Sequence, residues 1–395
     1  MTRAGLLVVL VAWLAVAPAA QTRPVPPPVR NLASGLRGEA GLVRAYDLIL
    51  DARFEDAQRQ IQQACPPAPS PACDVLGAVA DYWLLLQDPE STARDAPLMK
   101  RIEASIVSTE AWVAREPNRA EAWFYLGGAY GTRVLFRSHR GQHLAAARDG
   151  KRIHDSLQKA IKLDPSLSDA YFGLGLYHYY AAIAPRVARI LSALMFLPGG
   201  DRAGGLREME QTRTKGMLLR GEADYQLHLI YLWYERQLNT ALNLIEGLRS
   251  RYPHNPVLYV RLAQVQGDYI RNHSAALQTY QMLYEAARAG RVALPAISEV
   301  NARLGIAQEM DALCATAKAI EQLEAVIALK PAAPNPALAR AHYQLGMTLD
   351  RSGRRSEAIA AYQRAISTTP ADDRLRIREK ARAAIRGAPA ARTCR

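Results

Sequence analysis

A helix–turn–helix unit near the C-terminus constrains the fold of this chain more than any other feature of its sequence. It covers residues 339–370 and repeats with a period of about 34 residues. Gly346 lets a neighbouring helix approach closely, Gly353 permits a tight turn, and Pro370 ends the unit. The positions that define the pattern are Leu345, Gly346, Leu349, Gly353, Ala358, Tyr362, Ala365 and Pro370. A unit this short cannot bury a core alone, so the spacing predicts stacked helical hairpins.

The pattern resembles the tetratricopeptide repeat and recurs with lower fidelity toward the N-terminus. The best copies cover residues 222–253, 255–288, 298–331 and 339–370. The second of these copies has a one-residue slip near Asn272. Less regular hairpins upstream bring the total to about eight, and no strand-like alternation is present. The sequence therefore predicts an all-α, right-handed α-solenoid over residues 39–371.

The first residues indicate export. Arg3 precedes an apolar run over residues 6–16, which is too short to span a bilayer as a mature helix. Small residues follow the run, so signal peptidase is expected to cleave near Ala19 or Ala20. Residues 1–20 are thus predicted to be a signal peptide, with an uncleaved membrane anchor as the alternative. The mature protein is expected to be periplasmic or extracellular.

Proline and charge mark the two ends of the mature chain. Residues 21–38 are rich in proline and are predicted to form an extended linker, whereas residues 372–395 are predicted to form a basic capping helix and tail. The chain has a net charge of +13, and loss of a leader that contains Arg3 would leave +12. This balance favours acidic partners such as acidic proteins or an anionic membrane surface. Nucleic acid is not expected to be a partner of an exported protein.

Cysteine usage agrees with export. Cys65 and Cys73 flank a proline-rich loop, and an oxidising compartment is expected to pair them. Cys314 lies in a helical pattern and is predicted to be a buried small apolar residue. Cys394 lies in the predicted tail. The spacing typical of zinc sites is absent, so no metal site is predicted.

An insertion over residues 181–206 interrupts one of the repeats. It is mostly apolar and contains Arg186 and Arg189 on one predicted helix face. Three interpretations remain open: a helix that packs in the concave groove, a membrane-surface helix, or a gate over a ligand groove. We expect it to pack inside the superhelix. Asp201 is expected to cap the following helix and leave Arg202 able to pair with an acid.

The region around the insertion also resembles a particular repeat family. Residues 171–176 read Tyr-Phe-Gly-Leu-Gly-Leu, residues 190–194 read Ile-Leu-Ser-Ala-Leu, and Gly-Gly-Asp-Arg at 199–202 precedes Gly-Leu at 205–206. This order, within residues 119–253, resembles the eukaryotic tetratricopeptide family that includes the mitochondrial outer-membrane inclusion-body clearance protein. It also resembles exported bacterial repeat proteins. The resemblance implies architecture and supplies no catalytic residues.

The sequence contains no recognisable catalytic constellation. His139 and His143 are spaced as a metal pair could be, but a solvated basic face is the preferred interpretation, and no cofactor is predicted. Basic and aromatic residues near the expected groove form a candidate binding surface. Its members are Arg133, Arg137, Arg140, Tyr177, Tyr180, Arg186, Arg189 and Arg202.

Together these features predict a non-enzymatic protein–protein interaction scaffold of the cell envelope. The expected partner is a protein or peptide bound in the concave face of the superhelix. The alternative is a lipid- or membrane-associated carrier that uses the apolar residues 181–197. An enzyme is a more distant possibility.

Overall fold

The fold is known from a computed structural model that describes residues 35–184 and 199–387. The predicted signal peptide, nearly all of the proline-rich linker and the C-terminal tail lie outside the described residues. So does most of the insertion, including Arg186 and Arg189.

The described residues form α-helices and one π-helical turn, without a strand. The helices pair into eight hairpins, followed by a single last helix. The pairs are α1 (Glu39–Leu50) with α2 (Phe54–Ala64), α3 (Ser70–Leu85) with α4 (Asp95–Arg115), α5 (Ala120–His139) with α6 (His143–Leu163), α7 (Ala170–Ile183) with α8 (Arg202–Lys215), α9 (Arg220–Trp233) with α10 (Leu238–Arg251), α11 (Pro256–Gln264) with α12 (His273–Arg288), α13 (Pro295–Ala312) with α14 (Thr316–Leu329), and α15 (Ala337–Arg351) with α16 (Arg355–Thr368); α17 (Ile377–Arg386) is the last helix. The predicted all-α solenoid of tetratricopeptide-type hairpins is confirmed.

The last hairpin shows why the repeat residues are needed. A Cβ atom on Gly346 of α15 would lie 2.5 Å from Cε1 of Tyr362 on α16, so only glycine permits this close helix contact. Gly353 has a φ of +80° in the turn between the two helices, a conformation that favours glycine. Ala358 and Ala365 are fully buried on the face of α16 that packs inside the fold. The spacing in the sequence is therefore the spacing of helix contacts.

Two irregularities of the sequence have structural counterparts. The one-residue slip near Asn272 coincides with a π-helical turn at Val265–Tyr269, which accommodates an extra residue at the end of α11. Upstream, α5 has 20 residues and α6 has 21, so both helices of the third hairpin are extended. These adjustments keep the hairpins stacked although the sequence period changes.

The cysteines behave differently from one another. Cys65 and Cys73 form the predicted disulfide between the end of α2 and the start of α3, with Cα atoms 6.6 Å apart. Cys314 is exposed in the turn between α13 and α14, with a φ of 62°, and is itself disulfide-bonded. The prediction that Cys314 is a buried apolar residue is therefore wrong. Periodicity continued the helix through this position, whereas the chain turns there.

Candidate functional site

We call the first helix of each hairpin its inner helix, and the inner helices α1 and α3 of the first two hairpins meet α9 of the fifth. Trp83 on α3 packs edge-on against Tyr225 on α9, with ring centroids 4.9 Å apart. The hydroxyl of Tyr46 on α1 and the Nε1–H of Trp83 both donate to the carboxylate of Glu222, at 3.3 and 3.2 Å. All of these side chains are buried. This part of the concave surface is therefore occupied by the protein itself.

The polar groups at this contact favour their uncharged forms. Burial raises the pKa of Glu222, although Gln226 Nε2 donates to its carboxylate at 3.2 Å. Burial lowers the pKa of His228 to about 3, and its ring lies 4.8 Å from that of Tyr225. Perturbed pKa values can mark catalytic sites when they occur in a cleft. Here they lie in close-packed surroundings, which indicates a structural role.

A second set of contacts joins the turn between α10 and α11 to the end of α1. Asn255 Nδ2 donates to the carbonyl oxygen of Leu50 at 2.7 Å, and the Tyr252 hydroxyl donates to Asp47 at 2.8 Å. Asn255 also accepts from the backbone N–H of Val257 and so caps α11. One asparagine thus begins a helix and holds the first hairpin against the sixth.

The loop between α3 and α4, residues 86–94, is called the clasp loop because it contacts both early and late repeats. Asp88 accepts from the backbone N–H of Asn335 at 2.8 Å, just before α15. The carbonyl oxygen of Pro89 accepts from Arg140 Nη1 at 2.7 Å, at the end of α5. Arg374, before α17, donates to the carbonyl oxygen of His139 at 2.7 Å. The solenoid therefore closes on itself.

The predicted basic cluster on α5 is used in these internal contacts. Arg140 is only 6 % exposed and makes a bidentate ion pair with Asp95 at 2.8 and 2.6 Å. Arg133 makes a bidentate pair with Asp149 at 2.9 and 2.7 Å, and Arg137 donates to the same carboxylate. The charges of these three arginines are therefore paired with carboxylates of the same protein.

The turn after the insertion has the geometry that the sequence predicts. Asp201 Oδ1 accepts from the backbone N–H of Gly204 at 2.9 Å and caps α8. Arg202 makes a bidentate pair with Glu235 at 2.8 and 2.5 Å. Glu235 also accepts from the Tyr179 hydroxyl at 2.5 Å, and Arg202 draws the pKa of the Glu235 carboxyl below its ordinary value. This cluster fixes the end of α7 against the turn that follows α9.

The two predicted tyrosines lie in different surroundings. Tyr177 is half-buried, with its ring 4.9 Å from that of His154 on α6. Tyr180 is 37 % exposed, and its ring lies edge-on to that of Tyr234 at 5.7 Å. Tyr180 is thus the predicted aromatic residue that reaches the surface.

Tyr180 belongs to a larger surface that sequence reasoning missed. We call Tyr180, Trp233, Tyr234 and Tyr269 the aromatic edge, because each lies where the inner helix of a hairpin ends. Trp233 Nε1 donates to the Tyr269 hydroxyl at 3.0 Å, which links adjacent hairpins. The sequence did contain a signal for this surface, because aromatic residues recur at the end of three successive inner helices.

The two histidines that are four residues apart lie in different surroundings. His139 Nε2 lies 3.0 Å from the carbonyl oxygen of Pro89, whereas His143 is exposed at the start of α6. Within residues 35–184 and 199–387, no group of three or more His, Cys, Asp or Glu side chains is placed to bind a metal ion. The same residues contain no helix long and apolar enough to cross a membrane.

The last helix contributes to a shallow basic depression of about 440 Å³. Its lining residues are Asp373, Arg376, Arg378, Glu379, Arg382 and Arg386. Arg376 pairs with Glu379, and Arg378 donates to the carbonyl oxygens of Thr369 and Pro370, just after α16. Lys380, Arg382 and Arg386 are exposed.

A smaller depression of about 290 Å³ is lined by Glu116, Pro117, Asn118 and Arg119. Charged and polar residues dominate both, so neither is an apolar ligand cavity.

Comparison with known proteins identifies the repeat. A family model described as a tetratricopeptide repeat matches residues 339–372. Yeast Tom70 is 13 % identical, with 89 % of this chain and 83 % of Tom70 covered and a TM-score of 0.42. The Cut9–Hcn1 hetero-tetramer of the APC/C is 12 % identical, with 87 % and 54 % covered and a TM-score of 0.49. A human IFIT1 dimer with PPP-AAAA is 13 % identical, with 89 % and 86 % covered and a TM-score of 0.42. No curated protein matches the chain.

Proposed function

We propose that this chain, a tetratricopeptide-repeat protein, is a non-enzymatic interaction scaffold of the cell envelope that binds an acidic protein partner at its C-terminal cap. The observation that carries the proposal is the basic depression on α17, where exposed cations are grouped at one end of the solenoid. Basic surfaces attract acidic partners and accelerate their association. The envelope location rests on the leader-like sequence of residues 1–20 and on the Cys65–Cys73 disulfide.

A partner on the outer surface is favoured over a peptide in the concave face. Trp83 and Tyr46 already fill the space beside Glu222, and the clasp loop joins early and late repeats. A peptide threaded along the axis would have to displace these buried contacts before it could bind. The cap needs no such rearrangement, because Lys380, Arg382 and Arg386 are exposed.

The cap also suits recognition of carboxylates. Arg382 and Arg386 are four residues apart on α17 and therefore share a helix face. Arginine presents planar donors that match a carboxylate in a bidentate arrangement. Arg376 and Arg378 are engaged by Glu379 and by the end of α16, so the unengaged charge belongs chiefly to the other two arginines.

Site-specific crosslinking tests this proposal. A photoreactive benzophenone side chain replaces Lys380 in cells of the native host, and irradiation is expected to yield a covalent adduct with an envelope protein. Arg382→Glu with Arg386→Glu should abolish the adduct, because the reversed charges repel an acidic partner.

A matched control separates a specific surface from net charge. Arg291→Glu with Lys318→Glu changes the charge by the same amount at exposed positions away from α17. This control should leave the adduct intact. An adduct that survives reversal at the cap, equal loss in the control, or the absence of any adduct at position 380 would contradict the proposed surface.

A further inference from the structure

The aromatic edge holds all of the exposed aromatic side chains in the described part of the chain. Their exposed fractions are 37 % for Tyr180, 44 % for Trp233, 47 % for Tyr234 and 41 % for Tyr269. They lie on three successive hairpins, each at the end of an inner helix. Scattered exposed aromatics need no explanation, but their confinement to one edge indicates a surface for contact.

Contacts between neighbouring hairpins order this surface. The rings of Tyr180 and Tyr234 lie 5.7 Å apart, and Trp233 Nε1 donates to the Tyr269 hydroxyl at 3.0 Å. Each ring is thus held on one side by another member of the edge and remains open on the other. Little side-chain entropy would be lost when this preformed surface docks.

Two arginines follow the aromatic residues in the turns. Arg236 and Arg271 are exposed and have φ values of 55° and 66°, so both turns bend in the left-handed region at equivalent places. Among the acids, Glu235 is ion-paired with Arg202, the exposed Asp201 lies 4.0 Å from Arg207, and Asp268 offsets part of the charge of Arg271. The edge therefore combines aromatic side chains with a modest excess of positive charge.

The chain on either side of residues 185–198 is attached to the same edge. Helix α7 ends at Ile183, and the backbone N–H of Asp201 donates to the carbonyl oxygen of His178 at 3.1 Å. The sequence between these anchors is largely apolar, with two arginines and no acidic residue. Both ends of this apolar, acid-free sequence are thus anchored close to Tyr180.

We infer that the aromatic edge docks on the surface of an anionic lipid bilayer. Tryptophan and tyrosine favour the membrane interface, where the ring contacts acyl chains and the polar group stays hydrated. Arginines beside them add attraction to anionic headgroups. A protein partner would also use exposed aromatics, but it would not account for the neighbouring acid-free apolar sequence. The aromatic edge and the C-terminal cap share no residue, so membrane docking and binding of a protein partner are separate proposals.

Vesicle flotation tests the inference. The protein is purified without residues 1–20, whose apolar run would bind lipid itself; Gly35–Arg395 is a compact unit on its own. It should float with vesicles of phosphatidylcholine and phosphatidylglycerol, and less with phosphatidylcholine alone. Trp233→Ser with Tyr269→Ser should weaken partitioning by about tenfold. Arg236→Gln and Arg271→Gln should each weaken it by about fivefold, and chiefly at low salt.

Two further variants make the test specific. Trp233→Phe keeps an aromatic ring and should preserve flotation, while it removes the fluorescence quenching that brominated lipids cause at this edge. Val107→Ser changes a 66 % exposed apolar residue on α4 and should alter neither signal. Failure of the protein to float with either vesicle, or flotation that the edge variants leave unchanged, would overturn the inference. So would a protein adduct, without flotation, from a photoreactive benzophenone side chain placed at position 233. None of these outcomes bears on crosslinking at the cap.

Discussion

Replacement of Arg140 by methionine tests whether this residue holds the clasp loop or binds a partner. Its guanidinium donates to Asp95, to the Pro89 carbonyl oxygen and to the Ser91 carbonyl oxygen, all within 2.8 Å. Methionine retains much of the apolar stem but none of the donors. The substitution therefore leaves a carboxylate and two carbonyl groups without their principal partner.

The expected loss of stability follows from the burial of the Arg140–Asp95 ion pair. Removing one member of a fully buried ion pair destabilises a protein by roughly 3–5 kcal/mol. Arg140 is 6 % exposed, but Asp95 is 26 % exposed, so water can solvate part of the remaining charge. We therefore expect Arg140→Met to reduce the free energy of unfolding by about 2–4 kcal/mol. Much of this loss should appear as local opening of the clasp loop.

Hydrogen exchange resolved by peptide, together with urea unfolding, measures both effects. Amides of residues 86–94 should exchange faster in Arg140→Met, and the unfolding midpoint should fall. Arg236→Met is the matched control, because Arg236 is exposed, and its effect should stay within about 0.5 kcal/mol. Unchanged exchange and stability in Arg140→Met, combined with loss of partner binding, would refute the structural role of Arg140.

Three further predictions concern stability. Burial lowers the pKa of His228 to about 3, so the unfolded chain binds a proton that the native protein excludes. As the pH falls from about 6 to about 4, this group should lower the free energy of unfolding by up to about 1.4 kcal/mol per pH unit. His228→Phe should reduce that slope in urea unfolding, and identical slopes for the two proteins would contradict the prediction. Serine at Cys65 and Cys73 should cost about 2–3 kcal/mol through the lost loop constraint, and an unchanged melting temperature would contradict this. Gly346→Val should cost about 1–3 kcal/mol because its Cβ would overlap Tyr362, whereas Gly247→Ala, with open space around it, should not destabilise; equal effects in thermal melts would disprove the argument.

The sequence alone determined the hairpins, because repeat contacts are local. Gly346 and Tyr362 meet within one hairpin, and the turn at Gly353 depends only on its own backbone. The cap by Asp201 and the disulfide between Cys65 and Cys73 are also short-range, and both were predicted correctly. The surroundings of Cys314 were not predicted correctly, because a helical sequence pattern does not reveal at which residue the helix ends.

The tertiary structure alone decided which polar residues remain available to a partner. Sequence spacing grouped Arg133, Arg137 and Arg140 as a possible binding surface, but Asp149 and Asp95 come from other helices to pair with them. The meeting of α1 and α3 with α9 depends on how far each hairpin rotates relative to the last. Small rotations accumulate along a solenoid, so contacts between its distant repeats cannot be derived from the period of one repeat. That accumulated curvature brought α1 and α3 against α9 and left the aromatic edge and the cap exposed.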